Sequence, residues 1–68
     1  MKLRYDLYDK TGRVEGGQLS EKHYNEVING NFKWKKQWET ECNDYTLYAR
    51  CYDLGNGVEL YIWKEVAK

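Results

Sequence analysis

The chain has 68 residues, and its 11 Lys and Arg side chains are balanced by 11 Asp and Glu side chains, so the formal net charge at pH 7 is zero. A neutral chain of this length predicts one small domain, residues 1–68, with no bulk field that attracts nucleic acid or an anionic membrane. One histidine, with no glycine-rich phosphate loop and no zinc-ligand spacing, predicts a protein that is not an enzyme and that binds no metal or cofactor.

The N-terminal residues predict a β-hairpin. Lys2 to Asp9 alternates apolar and polar side chains with a period of two, which is typical of a half-buried strand. The following Asp9-Lys10-Thr11-Gly12 has Asp first and Gly fourth, the pattern of a type I turn. The next segment has few apolar residues and contains Gly16-Gly17, which weakens a strand. We therefore expect a short edge strand that ends near Gly16.

A short helix is predicted over about residues 20–29. Ser20 is a typical N-cap, and Leu19 and Tyr24 have the spacing of a hydrophobic staple. Gly30 predicts a left-handed stop at the C-terminal end. A helix of two to three turns is marginal alone in water, so an apolar stripe must hold it against the sheet. That stripe consists of Tyr24, Val27 and Ile28.

The segment NFKWKKQWE, residues 31–39, predicts a third strand because it returns to a period of two. Lys36 interrupts the apolar face of this strand. Either its side chain snorkels at the edge of the core, or a β-bulge shifts the register there. The expected apolar face carries Phe32, Trp34 and Trp38, and the expected polar face carries Lys33, Lys35 and Gln37.

The strongest local signal is Asn56-Gly57, which lies between two alternating runs within residues 45–66. This dipeptide predicts a type I′ turn, because both central positions of that turn need φ > 0. Gly55 then pairs with Val58, and the register continues along both strands. The predicted aromatic face contains the pairs Tyr52 with Tyr61, Arg50 with Trp63 and Tyr48 with Glu65. The predicted aliphatic face contains the pairs Cys51 with Ile62, Asp53 with Leu60, Ala49 with Lys64 and Leu47 with Val66.

The predicted fold class is α+β, in the order β-β-α-β-β-β, with an antiparallel sheet and one short helix packed on one face. The aliphatic face is the natural side for the helix. The aromatic face then has two possible fates. It stays exposed, or a curled sheet or the first hairpin buries it as a second core in which Arg50 stacks on Trp63. The residues expected beneath the helix are Leu47, Cys51, Leu60 and Ile62.

The cysteine content and the absence of targeting signals predict a soluble, cytoplasmic protein. Cys42 and Cys51 are too few for the disulfide framework of a secreted domain, so we expect free thiols. The sequence also contains no long apolar run, no signal peptide and no polybasic end.

An uncovered aromatic face predicts a protein-binding site, because Tyr, Trp and Arg dominate protein–protein hot spots. The predicted protein-binding residues are Tyr48, Arg50, Tyr52, Tyr61 and Trp63. In its size and lack of catalytic groups the chain resembles the small accessory proteins of phages and mobile elements. That resemblance implies a module that inhibits or regulates a host protein. The aromatic face, or an unprotected edge strand, could also pair with a second copy of the chain as a homodimer.

The segment FKWKKQW offers an alternative function, single-stranded nucleic-acid binding. Aromatic rings interleaved with lysines can stack bases and contact phosphates. Two observations count against it: the period of two separates rings from cations, and a neutral chain lacks a basic footprint. The candidate residues are Lys33, Trp34, Lys35 and Lys36, with Arg50 and Trp63 as further contacts.

Overall fold

The computed structural model describes all 68 residues and confirms an α+β domain with the predicted order of elements. These elements are β1 (Lys2–Asp9), β2 (Gly12–Gln18), α1 (Glu21–Asn29), β3 (Trp34–Glu41), β4 (Tyr45–Gly55) and β5 (Val58–Ala67). The strands form one antiparallel sheet in the order β2-β1-β5-β4-β3. The first and last hairpins therefore meet through β1 and β5, and β2 and β3 are the edges. The single helix is too short and too polar to cross a bilayer.

The first hairpin forms as predicted, and β2 is an edge strand that extends two residues beyond Gly16. Its turn is held by Asp9, whose Oδ1 accepts hydrogen bonds from Thr11 N at 2.7 Å and from Thr11 Oγ1 at 2.6 Å. Gly16 is required for close approach, because a Cβ there would lie 2.4 Å from Asp6 Oδ1 and 2.4 Å from an Arg13 nitrogen. The glycine that weakens the strand by propensity therefore makes room for a charged pair.

The helix begins as predicted and ends differently. Ser20 Oγ accepts a hydrogen bond from His23 N at 3.1 Å, which confirms the N-cap. Gly30 has φ −80° and ψ 175°, so the predicted left-handed stop is wrong and the chain leaves the helix extended. A Cβ at Gly30 would lie 2.8 Å from the Phe32 ring and 2.9 Å from Glu26 O. Glycine is needed there for close packing and not for positive φ.

The turn of the last hairpin is confirmed, with φ 55° at Asn56 and φ 79° at Gly57. Gly55 pairs with Val58 as predicted, but a β-bulge between Asp53 and Gly55 shifts the rest of the ladder by one residue. Gly55 takes φ 87°, and its N–H donates a hydrogen bond to Asp53 Oδ1 at 2.9 Å. The side-chain hydrogen bond and the left-handed glycine together stabilise the bulge.

The predicted pairing beyond the bulge is therefore wrong by one residue along the whole hairpin. A shift of one residue reverses the face of every side chain of one strand relative to the other. The strongest consequence is that Arg50 does not oppose Trp63. The observed pairs are Asp53–Glu59, Tyr52–Leu60, Cys51–Tyr61, Arg50–Ile62, Ala49–Trp63, Tyr48–Lys64 and Leu47–Glu65.

The side of the sheet that α1 covers follows from two contacts. The Tyr52 hydroxyl donates to Val27 O at 3.4 Å, and Lys64 Nζ lies 5.7 Å from the centroid of the Tyr24 ring. We call this side the helix face; in the two central strands it carries Tyr48, Arg50, Tyr52, Leu60, Ile62 and Lys64. We call the opposite side the open face; it carries Arg4, Asp6, Tyr8, Leu47, Ala49, Cys51, Glu59, Tyr61, Trp63 and Glu65. Leu60 and Ile62 thus lie on the same side of the sheet as the helix, as predicted, but the prediction is wrong for Leu47 and Cys51.

Both faces of the sheet contain buried residues. On the helix face the buried side chains are Leu3, Tyr52 and Ile62. On the open face they are Asp6, Ala49 and Cys51, although no helix covers them. Both cysteines are free, as predicted. Side chains of the open face itself must therefore exclude water from its centre.

Candidate functional site

A β-bulge in β3 decides which tryptophan reaches the open face. Trp34 pairs with a helix-face residue of β4 and Lys36 pairs with an open-face residue, which leaves Lys35 as the extra residue. The bulge is one of the two interpretations that the sequence allowed at Lys36, and it is confirmed. The predicted common face of Trp34 and Trp38 is wrong, because only Trp38 lies on the open face.

Four aromatic rings from three strands meet on the open face and form what we call the aromatic cluster: Tyr8, Trp38, Tyr61 and Trp63. The ring centroids are 5.3 Å apart for Tyr8 and Tyr61, and 5.9 Å apart for Tyr61 and Trp63. Trp38 completes the cluster, with its centroid 6.3 Å from Tyr61 and 5.8 Å from Trp63. The Tyr61–Trp63 pair is stacked and the other three are edge-to-face, the arrangements that aromatic quadrupoles favour.

Small side chains of β4 form the floor of the aromatic cluster. Trp38, Ala49 and Trp63 are neighbours in one row across β3, β4 and β5, because Ala49 pairs with both tryptophans. A methyl group in the middle of this row leaves space for the two indoles to meet above it. Ala49 is only 5% exposed and Cys51 is 0% exposed. The rings therefore act as the cover that no helix supplies on this side.

A buried carboxylate fixes one side of the aromatic cluster. Asp6 is 8% exposed, and its Oδ1 accepts hydrogen bonds from Arg13 Nε at 3.0 Å and from Arg4 Nη2 at 3.1 Å. Its Oδ2 accepts from Trp63 Nε1 at 2.9 Å. Both oxygens of Asp6 are thus engaged, and the indole of Trp63 is held in one orientation. The arginines are half-exposed, so their guanidinium groups border the cluster and remain accessible.

The protonation state of Asp6 follows from two opposed effects. Burial alone would raise the pKa of the carboxyl, because it disfavours the charged form. Hydrogen bonds from Arg13, Arg4 and Trp63 outweigh burial and hold the pKa of Asp6 below its ordinary value of 3.8. Asp6 is therefore ionised at neutral pH and keeps both arginines in place.

The cations of the open face are mostly paired within the chain. Lys35 forms an ion pair with Glu59, and Lys2 lies 3.8 Å from a carboxylate oxygen of Glu65. Lys36 makes no ion pair, and its ammonium lies 5.3 Å from the centroid of the Trp38 ring. Of the five cations on this face, only Lys36 is free of a carboxylate partner. The surface is thus aromatic at its centre and nearly neutral at its border.

The structure does not bring the five predicted protein-binding residues together. Tyr61 and Trp63 lie in the aromatic cluster, whereas Tyr48, Arg50 and Tyr52 lie on the helix face. The predicted stacking of Arg50 on Trp63 is wrong. Arg50 instead lies 5.1 Å from the Trp34 ring centroid and 5.9 Å from that of Tyr52, and it donates two hydrogen bonds to Gln37 Oε1 at 2.9 and 3.1 Å.

The four nucleic-acid candidates are also divided. Trp34 lies on the helix face, while Lys35 and Lys36 reach the open face. Lys33 precedes β3, and its carbonyl accepts a hydrogen bond from Asp53 N at 3.2 Å. The expected separation of Lys35 from Trp38 is wrong, because Lys35, the extra residue of the bulge, reaches Glu59 on the open face. Lys36 shares the face of Trp38, as its place on the predicted apolar face implied.

Comparison of the chain with protein-family models, with curated proteins and with solved structures found no match. The open face is therefore the feature from which a function can be inferred. It combines a packed aromatic centre, a buried charged network on one side and ion pairs around the border. None of these groups contacts α1.

Proposed function

We propose that this chain is a cytoplasmic, non-enzymatic binding module that engages a protein partner through its open face and thereby inhibits or regulates that partner. One observation carries the proposal: four aromatic rings, each in contact with at least one other, lie on the side of the sheet that α1 leaves uncovered. A contiguous aromatic patch with a polar border is typical of a protein–protein interface.

The chemistry of the open face matches that of binding hot spots. Trp, Tyr and Arg are enriched there, and they contribute most when a partner excludes water around them. The aromatic cluster supplies two tryptophans and two tyrosines, and Arg4 and Arg13 stand at its border. The near-neutral charge of this face favours a partner that is recognised by apolar contact, with hydrogen bonds from the two arginines at the edge.

The open face is ordered before any partner binds. Trp63 is fixed by its hydrogen bond to Asp6, and the edge-to-face contact of Trp63 with Trp38 restrains both indoles. Side chains that are already held in one rotamer lose little conformational entropy on association. A small rigid face of this kind suits inhibition by coverage, in which the module occupies a functional surface of its partner.

Two tryptophans of β3 provide a matched test. Trp38 is 36% exposed on the open face, and Trp34 is 46% exposed on the helix face. The partner is captured from lysate of the source cell on immobilised wild-type protein, identified, purified and titrated against each variant. We expect Trp38→Ala to weaken binding by about 30-fold or more, the scale of a hot-spot residue. Trp34→Ala should change it by less than about threefold.

Three results would contradict the proposal. The wild-type protein could capture no partner that binds in the purified titration. The two tryptophan variants could bind equally well with their folds intact. The captured partner could also lose affinity for Trp34→Ala alone, which would move the interface to the helix face.

Single-stranded nucleic acid is the second candidate ligand, and it is favoured by Lys36, whose ammonium has no ion-pair partner and lies 5.3 Å from the centroid of the Trp38 ring on the open face. Against it, the other four cations of that face are already paired with carboxylates. Tryptophan fluorescence titrated with oligonucleotides at low and moderate salt decides between the two. Binding to phosphates must weaken steeply with added salt. Absence of quenching at low salt would remove this candidate.

A further inference from the structure

The helix face contains a pocket between α1 and the sheet. Its volume is about 330 Å³, which lies at the lower end of the range of about 300–1,000 Å³ found for small-molecule sites. Its walls are largely apolar: Ile28 comes from α1, Ile62 and Val66 come from β5, and the rings of Tyr24 and Tyr48 complete them. No residue of α1 is buried, so the helix covers this part of the sheet without filling the space beneath it.

Two cations line the same pocket, and no Asp or Glu side chain does. They are Arg50 of β4 and Lys64 of β5, and both are half-buried. Lys64 pairs with Tyr48, which lies two residues before Arg50, so the two cations are diagonal neighbours on one face. Neither makes an ion pair within the chain. Glu39 opposes Tyr48 from β3 on this face, but it pairs with neither cation.

The contacts of Arg50 leave its charge without a counter-charge. Its Nε and Nη2 donate hydrogen bonds to Gln37 Oε1 at 3.1 and 2.9 Å, and its Nη1 donates to the Tyr52 hydroxyl at 3.2 Å. Both acceptors are neutral. They use three of the five N–H groups of the guanidinium, which leaves two for a ligand. The planar fork of these groups matches the oxygens of a carboxylate or a phosphate.

The ammonium of Lys64 lies near two aromatic rings. Its Nζ is 5.7 Å from the centroid of Tyr24 and 5.9 Å from that of Tyr48. A ring attracts a cation through its quadrupole but supplies no negative charge. Burial raises the pKa of the Tyr24 hydroxyl, and the positive charge of Arg50 opposes that rise. Both cations therefore act on the same part of the pocket.

We propose that this pocket binds a small organic anion, a carboxylate or a phosphate ester on an apolar body. The anionic group contacts Arg50 and Lys64, and the body packs on Ile28, Ile62 and Val66. Two neighbouring cations repel each other, and a bound anion offsets that repulsion and supplies the missing counter-charge. Charge-assisted hydrogen bonds are stronger than neutral ones, so a neutral ligand of the same shape should bind more weakly.

The largest cavity of the molecule lacks this combination. It lies beside Trp63, has a volume of about 630 Å³ and is lined by Lys2, Arg4 and Glu65 among others. Lys2 is 3.8 Å from a carboxylate oxygen of Glu65, and Arg4 is bound to Asp6. The cations of that cavity are already paired, so the anion is assigned to the pocket beneath α1.

NMR titration of the wild-type protein tests the proposal with phenylacetate, phenyl phosphate and the neutral phenylacetamide. Each anion should bind with a Kd on the order of 1 mM, a realistic value for so small a ligand, and the tighter one identifies the anionic group. Phenylacetamide should bind at least about fivefold more weakly. The shifts should map to Tyr24, Arg50, Lys64 and the indole of Trp34, whose ring centroid lies 5.1 Å from Arg50. The indole of Trp38 on the open face should not shift.

Matched variants separate the pocket from a general attraction of anions to cations. Arg50→Met and Lys64→Met each remove one charge and keep an unbranched side chain. Each should weaken phenylacetate binding by at least about fivefold. Lys36→Met is the control, because Lys36 is also unpaired and its ammonium lies 5.3 Å from a ring centroid, but on the open face. It should leave phenylacetate binding unchanged.

Several results would overturn the proposal. Neither anion could shift a signal of this pocket at about 10 mM, a concentration that fills a 1 mM site to about nine-tenths. Phenylacetamide could bind as tightly as phenylacetate, the shifts could be confined to the open face, or folded Arg50→Met and Lys64→Met could both keep wild-type affinity. The wild-type titration decides the matter even if a variant does not fold. The pocket and the proposed partner surface lie on opposite sides of the sheet, so failure of one proposal leaves the other intact.

Discussion

The two faces of this sheet shield their buried side chains from water in different ways. The helix face is covered by α1, yet it carries Arg50 and Lys64, and both cations lie over aromatic rings. The open face has no covering element, yet it buries Cys51 completely by placing four large rings over small residues. Large side chains can thus replace a helix as the cover of a sheet. A face covered in this way keeps its outer ring edges available to a partner.

The largest effects should come from removing one ring on each face. Tyr52→Ala empties a nearly fully buried site on the helix face and should destabilise the fold by about 3–5 kcal/mol. Trp63→Ala removes a half-buried ring and should cost about 3 kcal/mol, because Ala49 and Cys51 lose their cover. Chemical denaturation measures both. If the aromatic cluster did not contribute to folding, Trp63→Ala would lower the free energy of unfolding by less than about 0.5 kcal/mol, the scale of an ordinary surface substitution.

The turn that joins β4 and β5 affects both faces, because it begins the pairing of two strands that contribute side chains to each of them. Gly57 has φ 79°, and a Cβ there would lie 2.9 Å from two carbons of the Lys10 side chain. A β-branched residue with positive φ is strained, so Gly57→Val should destabilise the fold by about 1–3 kcal/mol. Asn56→Gly keeps the turn and serves as the control. Equal denaturation midpoints for Gly57→Val and wild type would contradict this account of the turn.

Asp6 gives the open face a pH dependence in the acid range. Its pKa is lower in the folded state than in the unfolded chain, so its contribution to stability is present above pH 4 or so and is lost as pH falls through the folded pKa. Asp6→Asn should cost about 1–3 kcal/mol at neutral pH, because the arginines lose a charged acceptor. The variant should also lose less stability than wild type between about pH 4 and pH 2. Parallel pH curves for the two proteins would contradict this role.

The smallest of these effects is expected at Arg50. Its guanidinium lies over Trp34 and Tyr52 and donates to Gln37, but the group is partly exposed to solvent. Arg50→Met should therefore cost only about 0.5–1 kcal/mol, the value of an exposed cation–π contact. Partner binding should stay within about threefold of wild type, since Arg50 is on the helix face. A strong loss of partner binding by Arg50→Met with the fold intact would contradict this and would show that Arg50 belongs to the interface.

Local signals predicted the elements of this fold well. The Ser20 N-cap, the apolar stripe of the helix and the Asn56-Gly57 turn depend on residues close in sequence, and each is confirmed. The bulge after Asp53 was not predicted, although a signal for it is present. Gly55, Asn56 and Gly57 are three consecutive residues of types that accept positive φ. Asp53, two residues before Gly55, has a side chain that can accept a hydrogen bond from Gly55 N. That single insertion reversed the expected faces of the hairpin.

The candidate site was only half predictable for the same physical reason. Tyr61 and Trp63 were found because they lie on one strand beside the recognised turn. Tyr8 and Trp38 come from β1 and β3, and their approach depends on strand order and on the β3 bulge. Strand order and the β3 bulge are not set by residues nearby in sequence, because they follow from how the whole sheet packs. The sequence did contain one indication of the β3 bulge, because Lys36 breaks the apolar period of two and a bulge was one of the two interpretations of that break.

The three indole N–H groups offer the most direct test of the open face as the binding surface. Trp38 and Trp63 lie in the aromatic cluster, and Trp34 lies on the helix face. Their side-chain signals can be followed separately by NMR while the purified partner is added. The account predicts large shifts for Trp38 and Trp63 and little change for Trp34. A shift of the Trp34 signal alone, with the other two unchanged, would contradict it.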